Sequence, residues 1–290
     1  MTAPRQSPGP LYLMARRAAI SLGLEVPGRA VVRATRRGRA RLALALAPPD
    51  VTEAALMPSE PQAPQLSDAE RNAMARDKLD NDHIRLLISF ALRSDSNCID
   101  VGAHEGTVLT EILRAAPDGR HIAYEPIPDY AARLRSRFQS VEVREAALSN
   151  AEGDATFVYV PDLPAYSGLR ERAYPHDVEK TTLTVHTERL DDTLPPGYHV
   201  DFMKIDVEGA EALVFEGALN VIRRDQPIIV FEHGPGGADH YGVTPRRVYE
   251  LLTSEANLRV FDLDGNGPLT LAQFEDEFAR GERWNYVARP

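Results

Sequence analysis

Strand-like and helix-like segments alternate from residue 97 to the C-terminus, and this alternation constrains the fold more than any other feature. NCIDVG, a short apolar run ending in glycine, is followed at helical period by TVLTEILRAA. RHIAYEP precedes DYAARLRSRF, and VDFMKID precedes AEALVFEGALNVI. QPIIVFEHG precedes TPRRVYELLTSE, where Thr244 reads as N-cap and Pro245 as the first helical residue. VEVREAAL is a further strand, and NLRVFDLDG and RWNYVARP close the chain as strands. Such an alternation implies an α/β fold, a mostly parallel sheet with helices on both faces. DATFVYV and TTLTVHTERL read as antiparallel additions between the third and fourth strands.

The N-terminal part is different in kind. Five prolines fall between Ala47 and Gln65, a composition that suits an extended linker. Residues 1–65 are therefore assigned to a basic, Pro/Ala-rich extension and residues 66–290 to the compact domain. SDAE at Ser67–Glu70 is a capping-box pattern that opens a helix running to about Leu92. Leu79, Ile84, Leu87, Ile88 and Leu92 form its apolar stripe. Residues 1–50 carry nine arginines against Glu25 and Asp50, a net +7, which leaves −17 for the rest of a chain totalling −10. The acidic main body disfavours nucleic acid as its partner, whereas the basic arm suits an acidic partner or an anionic membrane surface. No apolar run approaches the ~18 residues of a transmembrane segment. The single cysteine, Cys98, excludes an intrachain disulfide; its apolar neighbours predict a buried thiol, and a reducing, cytoplasmic setting is expected.

In sheets of this kind ligands bind outside the carboxyl ends of the strands. The first strand presents Asp100, Gly102, Ala103, His104 and Gly106 there, and the second Glu125. The third presents Ala146, Ala147 and Ser149, the fourth Asp206, Glu208 and Gly209, the fifth Glu232 and His233. Five polar strand ends on one edge predict a site. Glycines at 102 and 106 let backbone approach a ligand where a Cβ would clash. Glu125 lies 19 residues after Gly106, near the ~20-residue spacing at which an acid grips ribose hydroxyls. DVGAHEG departs from the dinucleotide fingerprint because Asp100 stands at its first glycine. A carboxylate there repels pyrophosphate and suits a cationic, amine-bearing ligand such as S-adenosylmethionine.

CIDVGAHEGTVLTEIL, AYEPIP, REAALSNAEGDATFVYV, LTVHTERLDD, MKIDVEGAEALVFEGA and PIIVFEHG occur in that order. Together they resemble the FkbM family of S-adenosylmethionine-dependent methyltransferases, over roughly residues 80–290. The resemblance implies a class I methyltransferase fold, Rossmann-like, with a seven-strand sheet whose last strand is antiparallel. It implies methyl transfer, often to a hydroxyl of a sugar or other natural-product scaffold. By the same resemblance Asp100, Gly102, Ala103, His104 and Gly106 cradle the methionine part of the cofactor. Glu125 holds the ribose, and Ala146 and Ala147 border the adenine. The family usually carries Asn at the position of His104 and a hydrophobic residue at Glu105.

Chemistry at the fourth and fifth strands is read from residue type. A hydroxyl nucleophile needs its proton removed, for which Asp206, His233 and His104 are candidates, with Glu208 beside them. Asp206, Glu208 and Glu232 form an alternative divalent-metal set, which is not favoured. Glu211 reads as an acid decorating the first turn of a helix. DLDGNGPLTLAQF resembles a calcium loop, but Gln273 stands where a bidentate Glu belongs, so a tight turn is expected. Substrate-facing segments are sought in Pro161–Lys180 and in the Gly234–Gly242 loop. Three function classes remain on this pattern: a methyltransferase acting on a small-molecule or glycan hydroxyl, an NAD-dependent dehydrogenase, and a non-catalytic cofactor-binding module recruited through the basic arm.

Overall fold

Short, continuously apolar runs pair side by side at the centre of the molecule. The computed structural model describes residues 68–290 apart from Ala173, Pro175 and His176. The arm and linker assigned to residues 1–65, and Ser67 of the capping pattern, lie outside them. Among the described residues the strands are β1 (Cys98–Val101), β2 (His121–Tyr124), β3 (Val141–Arg144), β4 (Ala147–Leu148), β5 (Gly153–Tyr159), β6 (Thr181–Glu188), β7 (Phe202–Ile205), β8 (Ile228–Glu232), β9 (Arg259–Asp262) and β10 (Asn285–Arg289).

Seven of them form one sheet in the order β3-β2-β1-β7-β8-β10-β9. Neighbours from β3 to β8 run parallel, and β10 runs antiparallel to both β8 and β9. This is the class I methyltransferase topology, with the last strand reversed as expected. All residues of β1 and β2 are buried, which is what a parallel sheet covered on both faces requires. Ile99, Val101, Met203, Ile205, Ile229 and Phe231 join one core cluster, each fully buried side chain contributing roughly 1.5–3 kcal/mol. Helices at Thr107–Ala115 and Pro128–Arg137 follow β1 and β2, burying Leu109, Ile112, Ala131 and Leu134.

The two added segments pair as foreseen: all of β5 runs antiparallel to Thr181–Thr187 of β6. VEVREAAL, expected as one strand, divides instead. Val141–Arg144 stays in the large sheet, while Ala147–Leu148 leaves it and pairs in parallel with Thr187–Glu188 of the small one. AEALVFEGALNVI also divides, into Glu211–Gly217 and Leu219–Asp225. Gly217 lies against the Ser149 carbonyl so closely that a Cβ there would come within 1.9 Å of it. The first helix of the described residues spans Asp68–Ala91, and in its stripe Ile84 and Ile88 are buried but Leu79 is exposed. Thr244 caps its helix as read, accepting from the Arg247 N–H. Cys98 is buried, and burial pushes its thiol pKa far up. The calcium-like loop is a turn closed by Asp262, whose carboxylate accepts from the Asn266 N–H at 2.8 Å and side-chain amide at 2.7 Å.

Candidate active site

The carboxyl end of β1 is shaped by backbone before any side chain acts. Gly102 (φ +77°) passes the end of β7 so closely that a Cβ would stand 2.0 Å from the Asp206 carbonyl oxygen. Gly106 (φ +76°) lies against Phe138 and Leu134, and a Cβ there would meet the Phe138 ring at 2.4 Å. The N–H groups of Gly102 and Ala103 both donate to the Tyr124 carbonyl, at 2.9 and 3.1 Å. His104 then takes a left-handed conformation (φ 49°), and its N–H donates to Glu125 Oε2 at 2.9 Å. Ile127 N–H donates to the other Glu125 oxygen, also at 2.9 Å. Glu125 is buried, and desolvation pushes its pKa up to about 7 against the pull of these two N–H groups. Each oxygen keeps a second acceptor position.

Asp100 is 1% exposed, and its carboxylate receives a loose contact from the Leu109 backbone N–H but no well-formed hydrogen bond at either oxygen. Burial raises its pKa, offset in part by Lys204. These two residues stand directly opposite each other in the β1–β7 register. Lys204 was overlooked in the sequence, although a lysine inside the apolar run VDFMKID was the available signal. Its ammonium is 3.3 Å from Asp206 Oδ2 and donates to the Gly102 carbonyl at 3.4 Å. Desolvation acts to lower its pKa, but Asp206 and Asp100 outweigh it and the pKa is raised.

Glu208 also adopts a left-handed backbone (φ 62°) and accepts from Arg172 Nη1 at 2.8 Å. Arg172, within the Pro161–Lys180 segment, has a side chain only 3% exposed and lies over the Tyr166 ring. Glu211 does not decorate a solvated helix turn. It is fully buried, and its Oε1 accepts from the N–H groups of Gly209 (3.0 Å) and Val207 (3.3 Å). Burial, and then the neighbouring Glu232, push its pKa up to about 8. Gly209 (φ +103°) touches the Gly234–Gly242 loop directly, since a Cβ there would stand 2.3 Å from the Gly237 carbonyl carbon.

The two candidate histidines part company. His104 packs its ring 4.3 Å from Tyr130, with Nε2 buried and unpartnered. Burial lowers its pKa, and the charges of Glu105, Lys204, Asp206 and Glu208 all bear on it. His233 stacks on Phe274 (centroids 5.6 Å apart) and tilts against Phe278 (4.9 Å), and burial alone pushes its pKa down to about 4. Ala146 and Ala147 are buried where the chain passes from β3 to β4. Asp100, Lys204, Asp206, Glu208, Glu211 and Glu232 thus belong to one mouth between β1, β7 and β8, and His233 turns toward the Leu271–Arg280 helix. Among the described residues no three His, Cys, Asp or Glu side chains converge as a metal site requires. Asp206 and Glu208 instead face Lys204 and Arg172.

Residues 100–259 match the model of the FkbM methyltransferase domain. The chain belongs to the FkbM methyltransferase family. The match runs from Asp100 at the end of β1 to the start of β9, so it covers every strand end of the mouth. The FkbM chain is 28% identical over 159 residues to the methyltransferase sdnD of Sordaria araneosa, covering 43% of this chain and 61% of sdnD. It is 29% identical over 213 residues to AglP, the hexuronic acid methyltransferase of Haloferax volcanii, covering 71% and 78%. With the antimetabolite synthetase AmbE of Pseudomonas aeruginosa it shares 30% over 164 residues, only 8% of that protein's length. Among solved structures, an FkbM methyltransferase from Methylobacillus flagellatus aligns with a TM-score of 0.44 at 12% identity, over 78% of this chain and 56% of that one. Among the described residues no helix is long and apolar enough to cross a membrane.

Proposed function

We propose that the protein transfers a methyl group from S-adenosylmethionine to a hydroxyl of a sugar or natural-product scaffold. The observation that carries this reading is Asp100, a buried carboxylate with neither oxygen well hydrogen-bonded, set beside a glycine cradle that excludes any Cβ. Buried acceptors of this kind require a donor, and the ammonium of an amino-acid-like cofactor supplies one. Asp100, Gly102, Ala103, His104 and Gly106 would hold the methionine end, Glu125 the ribose diol, and Ala146 and Ala147 the adenine. The bound cofactor supplies an electrophilic methyl carbon. The protein's part is then to bind, orient and deprotonate the acceptor.

As the new oxygen–carbon bond forms, the hydroxyl proton must leave. Asp206 is suited to take it, because its side chain is 35% exposed at the mouth and Lys204 holds it in place. His104, whose pKa is lowered by burial, is a second candidate to take the proton. Glu208 is paired with Arg172 beside it, and His233 packs away from the mouth on Phe274. A sugar scaffold is favoured because AglP, which aligns over most of both chains, is named for a hexuronic acid. The test is calorimetric titration with S-adenosylmethionine, S-adenosylhomocysteine and NAD. Micromolar binding of the two adenosyl compounds, with no NAD binding, is expected. Failure of both to bind well-folded protein overturns the reading in favour of an interaction module, and NAD binding alone in favour of a dehydrogenase.

A further inference from the structure

The sheet fixes the backbone of Asp206 on one side only. Its N–H donates to the Val101 carbonyl at 3.1 Å, just past the end of β7, and the chain then leaves the sheet. The turn that follows has a backbone that side-chain-bearing residues rarely adopt: Glu208 is left-handed (φ 62°), and Gly209 follows at φ +103°. Such a conformation persists where its surroundings hold it. Ala210, at the N-cap of the Glu211–Gly217 helix, has no polar side chain with which to do so.

Glu211 holds the turn instead, reaching back along the chain. Its Oε1 accepts from the Val207 N–H at 3.3 Å and from the Gly209 N–H at 3.0 Å. The first N–H belongs to the peptide that follows Asp206, the second to the peptide that follows Glu208. One oxygen atom thereby orients the backbone of both carboxylate-bearing residues of the mouth. The carbonyl of the first peptide is the Asp206 oxygen that a Cβ on Gly102 would meet at 2.0 Å. Because a peptide is planar, a tilt that frees its N–H from Glu211 also moves its carbonyl relative to Gly102. An ordinary helix start is capped by Ser, Thr, Asn or Asp at the N-cap. A glutamic acid that is 1% exposed and lies near Glu232 is a costly substitute unless the placement of the turn matters.

We propose that Glu211 is a positioning residue, which through the Asp206–Val207 peptide keeps Asp206, on the acceptor side, in register with Gly102 of the cofactor cradle. Its meaning for catalysis rests on the methyl-transfer reading above. The experiment compares Glu211→Gln, Glu211→Asp and Glu211→Ala in the full-length protein, by titration with S-adenosylhomocysteine and by amide hydrogen exchange at Val207 and Gly209. Glu211→Gln keeps an acceptor oxygen at full reach and resembles the neutral acid that burial favours. Glu211→Asp is one methylene short, and Glu211→Ala has no acceptor. Glu211→Gln is expected to stay within about twofold of the parent affinity, and the other two to lose about tenfold. Faster exchange of both amides is expected in those two alone. Glu211→Asp carries the comparison if Glu211→Ala does not fold. A merely structural cap would lower the unfolding midpoint and leave the affinity of folded Glu211→Asp protein at the parent value, and that result overturns the proposal. So does a loss in Glu211→Gln equal to that in Glu211→Ala. Failure of the parent to bind S-adenosylhomocysteine removes the methyl-transfer reading, whereas unchanged exchange at Val207 and Gly209 in Glu211→Asp removes the positioning role.

Discussion

Two groups of carboxylates lie on the same sheet edge under opposite electrostatic regimes. At the end of β9, Asp264 is bound by the Arg76 guanidinium at 2.9 Å and by Arg283, and its pKa is pulled down to about 2. At the β1–β7–β8 mouth, Glu125 is pushed up to about 7 and Glu211 to about 8, and Asp100 is raised as well. Among the described residues Lys204 and Arg172 are the cations paired with carboxylates there. The first group lowers the free energy of the fold. The second raises it and is held in place by the surrounding packing, as expected where charge is arranged for a ligand. A bonded guanidinium, more than residue type, separates Asp264 from Glu125, Glu211 and Asp100.

The sharpest way to break this contrast is Asp100→Asn. Affinity for S-adenosylhomocysteine should fall about a hundredfold, roughly 2.7 kcal/mol, while the unfolding midpoint holds or rises because a poorly satisfied buried carboxylate has gone. Retained affinity with lost stability would move Asp100 into the structural group. A smaller effect is expected at Glu211. Its folded pKa exceeds the unfolded value, so the stability it contributes is fully present below about 4.5 and is lost as pH rises toward 8. Glu211→Gln, which keeps an oxygen for the Gly209 and Val207 N–H groups, should flatten that decline and be more stable than the parent at pH 8 by about 1 kcal/mol. Equal pH profiles in urea unfolding would refute it. The smallest effect belongs to Asp264→Asn, about 0.5–1 kcal/mol of lost stability at pH 7 for a partly exposed pair. Here the sign reverses: the depressed pKa stabilises above about 4, and the difference from the parent should vanish as pH falls toward 2.

The parallel sheet and most strand-end residues could be read in advance because each strand is a short apolar run ending in polar or glycine residues. Asp100 and Glu125 stood at those ends in plain view. Glu211 did not, since an acid at a helix start looks solvated until Glu232, 21 positions on, is known to share its burial. The double role of VEVREAAL was hidden because Ala147 and Leu148 pair with Thr187 and Glu188, about 40 residues later. His233 was grouped with Glu232 although successive residues of an extended chain face opposite ways. That alternation sends Glu232 toward Glu211 and His233 toward Phe274.

Where the Gly234–Gly242 loop rests on Gly209, backbone meets backbone with no side chain between them to yield. The contact works as a stiff hinge stop. On the proposed reading, an acceptor seated under the loop would push on the same backbone that carries Asp206 and Glu208. Acceptor recognition and alignment of those carboxylates would then be one mechanical event.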